Sequence, residues 1–358
     1  MPTPKLFNPG PVDVSPETYA AMAHTMIGHR GGDFEKLYAS LQPGLKEIFG
    51  TERPVFLSTS SAWGVMEGAL RNLVREKVLC LCCGAFSDKW IDVAQKCGYE
   101  AEKIQVEWGE AIDPEAVRAK LSEGGFDTVT FIHSETSTGV LNDLAGICEV
   151  VKSFPDTMLI VDTVSSLSTV DIDMDKHGID VCLAGVQKAL ALPPGLALFS
   201  VSDAAMERAK GTPNRGYYFD FLEFAKNDEK NNTPTTPCIS NLFGLQFILG
   251  EIEKEGFEAR KERHAKTNAM IHAWGAKHGF ELFAPEGRRS FALTCFATPD
   301  SLDLPAFIKA LKEKHNLLIN GGYGKIKGST FRISNMGNET EETIQELIDA
   351  MDDVLAAL

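Results

Sequence analysis

Between about residues 54 and 200, short runs of β-branched and apolar residues alternate with stretches in which apolar positions recur every three to four residues. The runs Pro54–Leu57, Val78–Cys83, Thr128–His133, Met158–Val161 and Val181–Ala184 predict strands. The periodic stretches from about Trp63 to Arg75, Phe86 to Cys97 and Ala145 to Ser153 predict helices. Alternation of this kind predicts an α/β fold with a mostly parallel, seven-stranded-type sheet flanked by helices. Ligands of such sheets collect beyond the carboxyl ends of the strands. Ser58–Ala62, Gly84–Phe86, Ser134–Thr138, Asp162–Val164 and Gln187-Lys188 all fall at those ends, so these residues are expected to converge.

Past residue 210 the rhythm changes. Residues 211–238 carry Pro213, Gly216, Tyr217–Phe219 and two further prolines, the composition of a long loop that serves a site or reaches a partner. Apolar positions from Phe243 to Ile252 then predict one long helix from about Ile239 to Thr267 and beyond. After it come helix, strand, helix, strand and a last helix over Glu341–Leu358, introduced by Asn338-Glu339-Thr340. We expect a large domain over 16–260 and a smaller α/β domain over 261–358, with residues 1–15 packing on the latter.

The chain has 358 residues, enough for two domains, and its 44% hydrophobic and 24% charged residues are those of a soluble globular enzyme. A net charge of −15 argues against a nucleic-acid partner, because phosphate backbones are held by clustered Lys and Arg. No apolar run approaches the length of a membrane span, and Met1-Pro2-Thr3-Pro4-Lys5 opens no hydrophobic signal region, so the expected location is the cytoplasm. The eight cysteines fit neither a disulfide framework nor a C-x-x-C metal site and are expected to be buried thiols.

One lysine has no reason to exist for solubility. Lys188 lies between a strand-like run and Pro193-Pro194-Gly195, and Asp162 ends the strand before it. An acid and a lysine at neighbouring strand ends are what pyridoxal phosphate chemistry requires: the amine forms a Schiff base with the cofactor aldehyde, and the carboxylate keeps the pyridine nitrogen protonated. The turn Ser58-Thr59-Ser60-Ser61-Ala62-Trp63 is a helix cap or a phosphate cradle, and its register with Lys188 favours the cradle. Phe86 suits the core or the face of a planar cofactor. In His133-Ser134-Glu135-Thr136-Ser137-Thr138-Gly139 the hydroxyls are candidates for the cofactor, and His133 is expected to be structural. Arg332, in the apolar strand Thr330–Ser334, needs a partner, either a substrate carboxylate or an acid at a domain interface. His29 and Arg30, flanked by glycines, form a second candidate anion site.

Together these residues resemble the class V aminotransferases of PLP fold type I, the group that includes alanine–glyoxylate, serine–pyruvate and phosphoserine aminotransferases. The resemblance runs from Phe7-Asn8-Pro9-Gly10-Pro11 nearly to the C-terminus and is strongest over Glu135–Val140, Val161–Ser166, Gln187–Gly195 and Phe331–Gly337. It implies that Lys188 is the Schiff-base lysine, Asp162 the partner of the pyridine nitrogen and Val164 the apolar residue beneath the ring. Phe86 takes the stacking position, Thr136 neighbours the ring oxygen, and Gln187, Ser61, Ala62 and Trp63 hold the phosphate. Asn232 and Thr235 resemble the segment that reaches the neighbouring subunit's cofactor phosphate, which implies a homodimer with a shared site. Arg332 matches the arginine for the substrate α-carboxylate. Two departures stand out: Ser60 and Ala62 replace glycines frequent in the phosphate turn, and Gly321–Gly328 holds no cysteine such as a desulfurase of this fold requires. The implied function is transfer of the amino group of a small amino acid, alanine or serine, to a 2-oxo acid such as glyoxylate or pyruvate. Phosphoserine with 2-oxoglutarate is the alternative, with His29 and Arg30 near the substrate; a PLP lyase or a non-catalytic interaction protein stands further back.

Overall fold

The computed structural model describes residues 3–358. Its centre is a seven-stranded sheet in the spatial order Val55–Ser58, Ala197–Val201, Val181–Gly185, Met158–Asp162, Thr128–Ile132, Lys77–Cys82, Glu100–Gln105. Ala197–Val201 runs antiparallel to both its neighbours, and the remaining pairings are parallel. The reversal has a simple cause. The 186–196 connection holds no helix, and a parallel return needs a long crossover.

The inner strands are buried along their whole length because helices cover both faces. Successive side chains feed different cores: Leu79 and Leu81 join one cluster with Phe34, Leu41 and Leu198, whereas Val78, Cys80 and Cys82 join the other with Trp90 and Phe199. The edge strand Glu100–Gln105 escaped the sequence pattern because Glu100, Glu102 and Lys103 keep it half wet, as suits an edge.

Two expectations fail. The long helix is two helices, Ile239–Glu255 and Phe257–Lys277, broken where Gly256 takes φ +83°. The 211–238 loop contains a helix, Phe221–Asp228, nucleated by Asp220, whose carboxylate accepts the Leu222 N–H.

The C-terminal part has its own antiparallel sheet, Leu293–Ala297, Thr330–Ser334, Asn320–Gly321. Ile271, Phe296, Phe307, Phe331 and Leu347 form its core, and Phe7 joins them. Lys5–Leu6 pairs in parallel with Leu317–Leu318, so the first described residues are stitched to this part of the molecule. No helix among the described residues is long and apolar enough to cross a membrane.

Candidate active site

At the carboxyl ends of the parallel strands lies a cavity of about 370 Å³. Lys188, Gln187, Asp162, Val164, Thr136, Phe86, Ser61, Ala62 and Trp63 line it from the large sheet, and Arg332 lines it from the C-terminal sheet. Sequence register alone brings the first group together. Asp162 ends its strand beside Ile132 and Leu183, and the chains leaving these neighbours carry Thr136 and Lys188.

The Lys188 ammonium donates to Thr136 Oγ1 at 2.5 Å and Ser165 Oγ at 2.8 Å, and it stands 5.2 Å from the Phe86 ring centre. It has hydroxyl partners and no carboxylate in contact. Burial therefore lowers its pKa to about 8, against the opposing fields of Asp162 and Glu135. Its turn is clamped from behind: buried Arg260 donates to the Ala189 carbonyl at 2.7 Å, and Ala191 N–H closes onto the Lys188 carbonyl at 2.8 Å. In front, Gly10 crosses the lysine stem with φ +124°, and a Cβ there would sit 2.9 Å from Lys188 Cε. Only glycine leaves that stem room.

Asp162 accepts the Val164 N–H at 2.8 Å, and burial raises its pKa to about 7. A carboxylate so short of donors gains most from a cationic N–H partner.

Arg332 is 5% exposed and donates to the Gly321 carbonyl at 3.1 and 3.2 Å and the Thr136 carbonyl at 3.2 Å. No acid pairs with it among the described residues, so the domain-interface ion pair weighed from sequence does not form. Its charge faces the cavity uncompensated, ready for an anion.

Ser61 is the N-cap of the helix Ala62–Leu73, yet its side chain caps nothing. The first N–H groups of that helix and the hydroxyl are left for an anion. The turn needs no glycine, because no residue from 58 to 62 has positive φ and Ser60 bonds back to Ser58 through N–H and hydroxyl. Phe86 is placed by Glu135, a buried carboxylate that accepts the Phe86 and Ser87 N–H groups at 3.4 and 2.8 Å and the Ser137 hydroxyl at 2.7 Å.

His133 is buried and, with its pKa lowered to about 4 by burial, neutral. Four candidates are not at this cavity. Arg30 donates to Asn232 Oδ1 at 2.6 Å, Thr233 O at 2.7 Å and Pro234 O at 3.2 Å, so its fork is already spent, and neither it nor His29 lines the pocket. Asn232 and Thr235 stand off their own chain's pocket with that segment. The sequence reading missed Gly10, Ser165, Glu135, Asn320 and Tyr323. A glycine between two prolines signalled Gly10; nothing local signalled Ser165, which a loop folds back beside Thr136 at 2.5 Å.

The donor set fits pyridoxal phosphate: an amine of lowered pKa, a buried acid short of donors, an uncommitted helix N-terminus and hydroxyl, and an aromatic and an aliphatic side chain, Phe86 and Val164, on one cavity.

The sequence profile of the family described as Aminotransferase class-V matches residues 15–347. An uncharacterised aminotransferase of Methanocaldococcus jannaschii is 38% identical over 337 residues, 93% of this chain and 87% of that protein. A serine–glyoxylate aminotransferase of Methylorubrum extorquens is 32% identical over 352 residues, 94% of this chain and 87% of its own. The crystal structure of alanine–glyoxylate aminotransferase from Nostoc sp. superposes with a TM-score of 0.93 at 29% identity, over 99% of this chain and 96% of that one.

Proposed function

The chain belongs to the class V aminotransferases, pyridoxal-phosphate-dependent transaminases of fold type I, and on that premise we propose that it moves the amino group of alanine or serine to a small 2-oxo acid such as glyoxylate or pyruvate. One observation carries the choice. Arg332 is the sole cationic side chain besides Lys188 among the cavity-lining residues, and it has no acid partner. One bidentate anchor suits a monocarboxylate, whereas phosphoserine or glutamate requires a second cation for its distal anion. Arg30, the sequence candidate for that second cation, is engaged by Asn232 and two backbone carbonyls.

In this reading Arg332 fixes the donor carboxylate and thereby orients Cα toward Lys188. When bound, pyridoxal phosphate supplies the electron-accepting ring that stabilises the charge left at Cα. Asp162, Val164, Phe86 and Thr136 would hold that ring, and Ser61, Ala62, Trp63 and Gln187 would hold the phosphate. Lys188 would anchor the cofactor through its amine, and that amine is the base placed to take the Cα proton onto its Nζ. A pKa near 8 leaves a useful fraction of the amine neutral at physiological pH, and the Thr136 and Ser165 hydroxyls steer it.

The working form we propose is a cytoplasmic homodimer in which Asn232 and Thr235 reach the partner's cofactor phosphate. Their segment supports this: it stands off its own pocket, close in sequence to Tyr217 and Tyr218, which are 67% and 40% exposed. All eight cysteines are unpaired, as in a reducing compartment. The domain boundary falls near residue 260, since Arg260 serves the lysine turn while Ile271 and Trp274, further along the same helix, enter the C-terminal core.

The test is a panel of amino donors scored by bleaching of the holoenzyme's visible absorbance. Alanine and serine should convert it; a higher kcat/KM for glutamate or phosphoserine would overturn the small-donor assignment.

A further inference from the structure

Tyr323 is an aromatic side chain left 50% exposed on a glycine-rich loop, in none of the hydrophobic cores, and it lines the cavity. Its ring bridges the two walls of the site. It stacks on Phe86 of the large sheet, ring centres 5.2 Å apart and planes 14° from parallel. The Arg332 guanidinium carbon of the C-terminal sheet lies 5.8 Å from the Tyr323 ring centre. The loop that carries it is held at both sides. Gly322 N–H donates to the Thr330 carbonyl at 2.6 Å, and the Lys325 ammonium sits 4.6 Å over the Trp108 ring, itself fixed by an N–H bond to Asp88 at 2.9 Å. An anchored loop presents this ring in a set place, so it is a surface that a ligand meets.

A carboxylate bound in the Arg332 fork lies beside this ring. The Cβ of an amino-acid donor is two bonds from its carboxylate carbon, so the donor side chain starts next to Tyr323. We propose that the Tyr323 ring sets the upper size limit of the donor side chain, acting as the specificity-determining residue for small donors. The inference rests on the small-donor reading above and adds the group that enforces it. Ring bulk does the work through shape, since a pocket wall discriminates aliphatic side chains by about 1–3 kcal/mol, roughly ten- to two-hundredfold. The hydroxyl is not required.

The test uses the holoenzyme and unreactive monocarboxylates of increasing size: propionate, 4-methylpentanoate and 3-phenylpropionate. Their dissociation constants are read from the change each makes in the cofactor's visible absorbance, for the wild type, Y323A and Y323F. In Y323A the affinity for 3-phenylpropionate relative to propionate should rise about tenfold, with 4-methylpentanoate between. In Y323F the ratio should match the wild type. A change in Y323A smaller than about threefold, or an equal change in Y323F, overturns the proposal. The carboxylate series reads the ring whichever amino acid proves to be the donor, so failure of alanine and serine to bleach the holoenzyme would sink the donor assignment separately. The half-exposed position keeps both variants clear of the core, which unchanged thermal unfolding verifies.

Discussion

The two walls of the cavity are built differently. Asp162, Thr136, Ser165 and Lys188 sit at the ends of, or in the loops just after, parallel strands buried on both faces, so the register of the large sheet fixes them. Arg332 and Tyr323 come from a three-stranded sheet and the loop between two of its strands. The first wall gathers a perturbed acid and a perturbed amine; the second holds one uncompensated cation and an exposed ring. On the proposed roles, the first wall carries the cofactor and the proton transfer, whereas the second holds the donor by its carboxylate and its side chain.

That division is broken hardest by Lys188→Ala. Turnover of every donor should fall by at least about a thousandfold, because covalent anchoring and proton transfer at Cα are lost together, and the visible absorbance of the holoenzyme should disappear. Retained turnover would remove Lys188 from the reaction. Arg332→Ala should act otherwise. The cofactor's visible absorbance should survive, while kcat/KM for alanine drops about a hundredfold or more, as expected when a buried charge-assisted pair loses one partner. Arg332→Lys should recover little, since a point charge does not reproduce the fork. If Arg332→Ala instead abolishes cofactor binding, the walls do not divide the labour.

The first wall was far more legible in the sequence than the second. Parallel strands ending at Cys82, Ile132, Asp162 and Gly185 are apolar runs in regular alternation with helical stretches, so their ends, and with them Asp162, Thr136 and Lys188, were visible from hydrophobic patterning alone. Arg332 was legible because a charged residue amid Phe331 and Ile333 is an anomaly, though only the fold shows that no acid answers it. Tyr323 gave no signal. A tyrosine among glycines is an ordinary loop until tertiary packing sets it against Phe86. Arg30 misled for the converse reason, since a flanking glycine signals accessibility but cannot reveal that Asn232 and two carbonyls, some two hundred residues on, already occupy the guanidinium. The break at Gly256 was hidden by apolar periodicity that continues across it, with Phe257 packing on the large core.

Within the large-sheet wall, the pKa of Lys188 gives a finer test. Only the neutral amine attacks the cofactor aldehyde, so uptake of pyridoxal phosphate by the apoprotein should speed up about tenfold per pH unit below about 8 and level off above it. An unperturbed lysine would keep accelerating toward 10.5. A rise that continues past pH 9 would show that burial does not control this amine.

The smallest effect separates burial from charge. Glu135 reaches Lys188 only through its field, which favours the ammonium; its carboxylate is bonded to the N–H groups of Phe86 and Ser87 and to Ser137. Glu135→Gln keeps the shape and removes that field, so the break in the uptake profile should move below 8, while Arg332, whose field opposes it, should move the break upward when replaced by Ala. Opposite shifts from the two walls would show that they act on one amine. No shift from either would mean that solvation alone sets its pKa, and shifts of the same sign would overturn the opposed fields of the two walls.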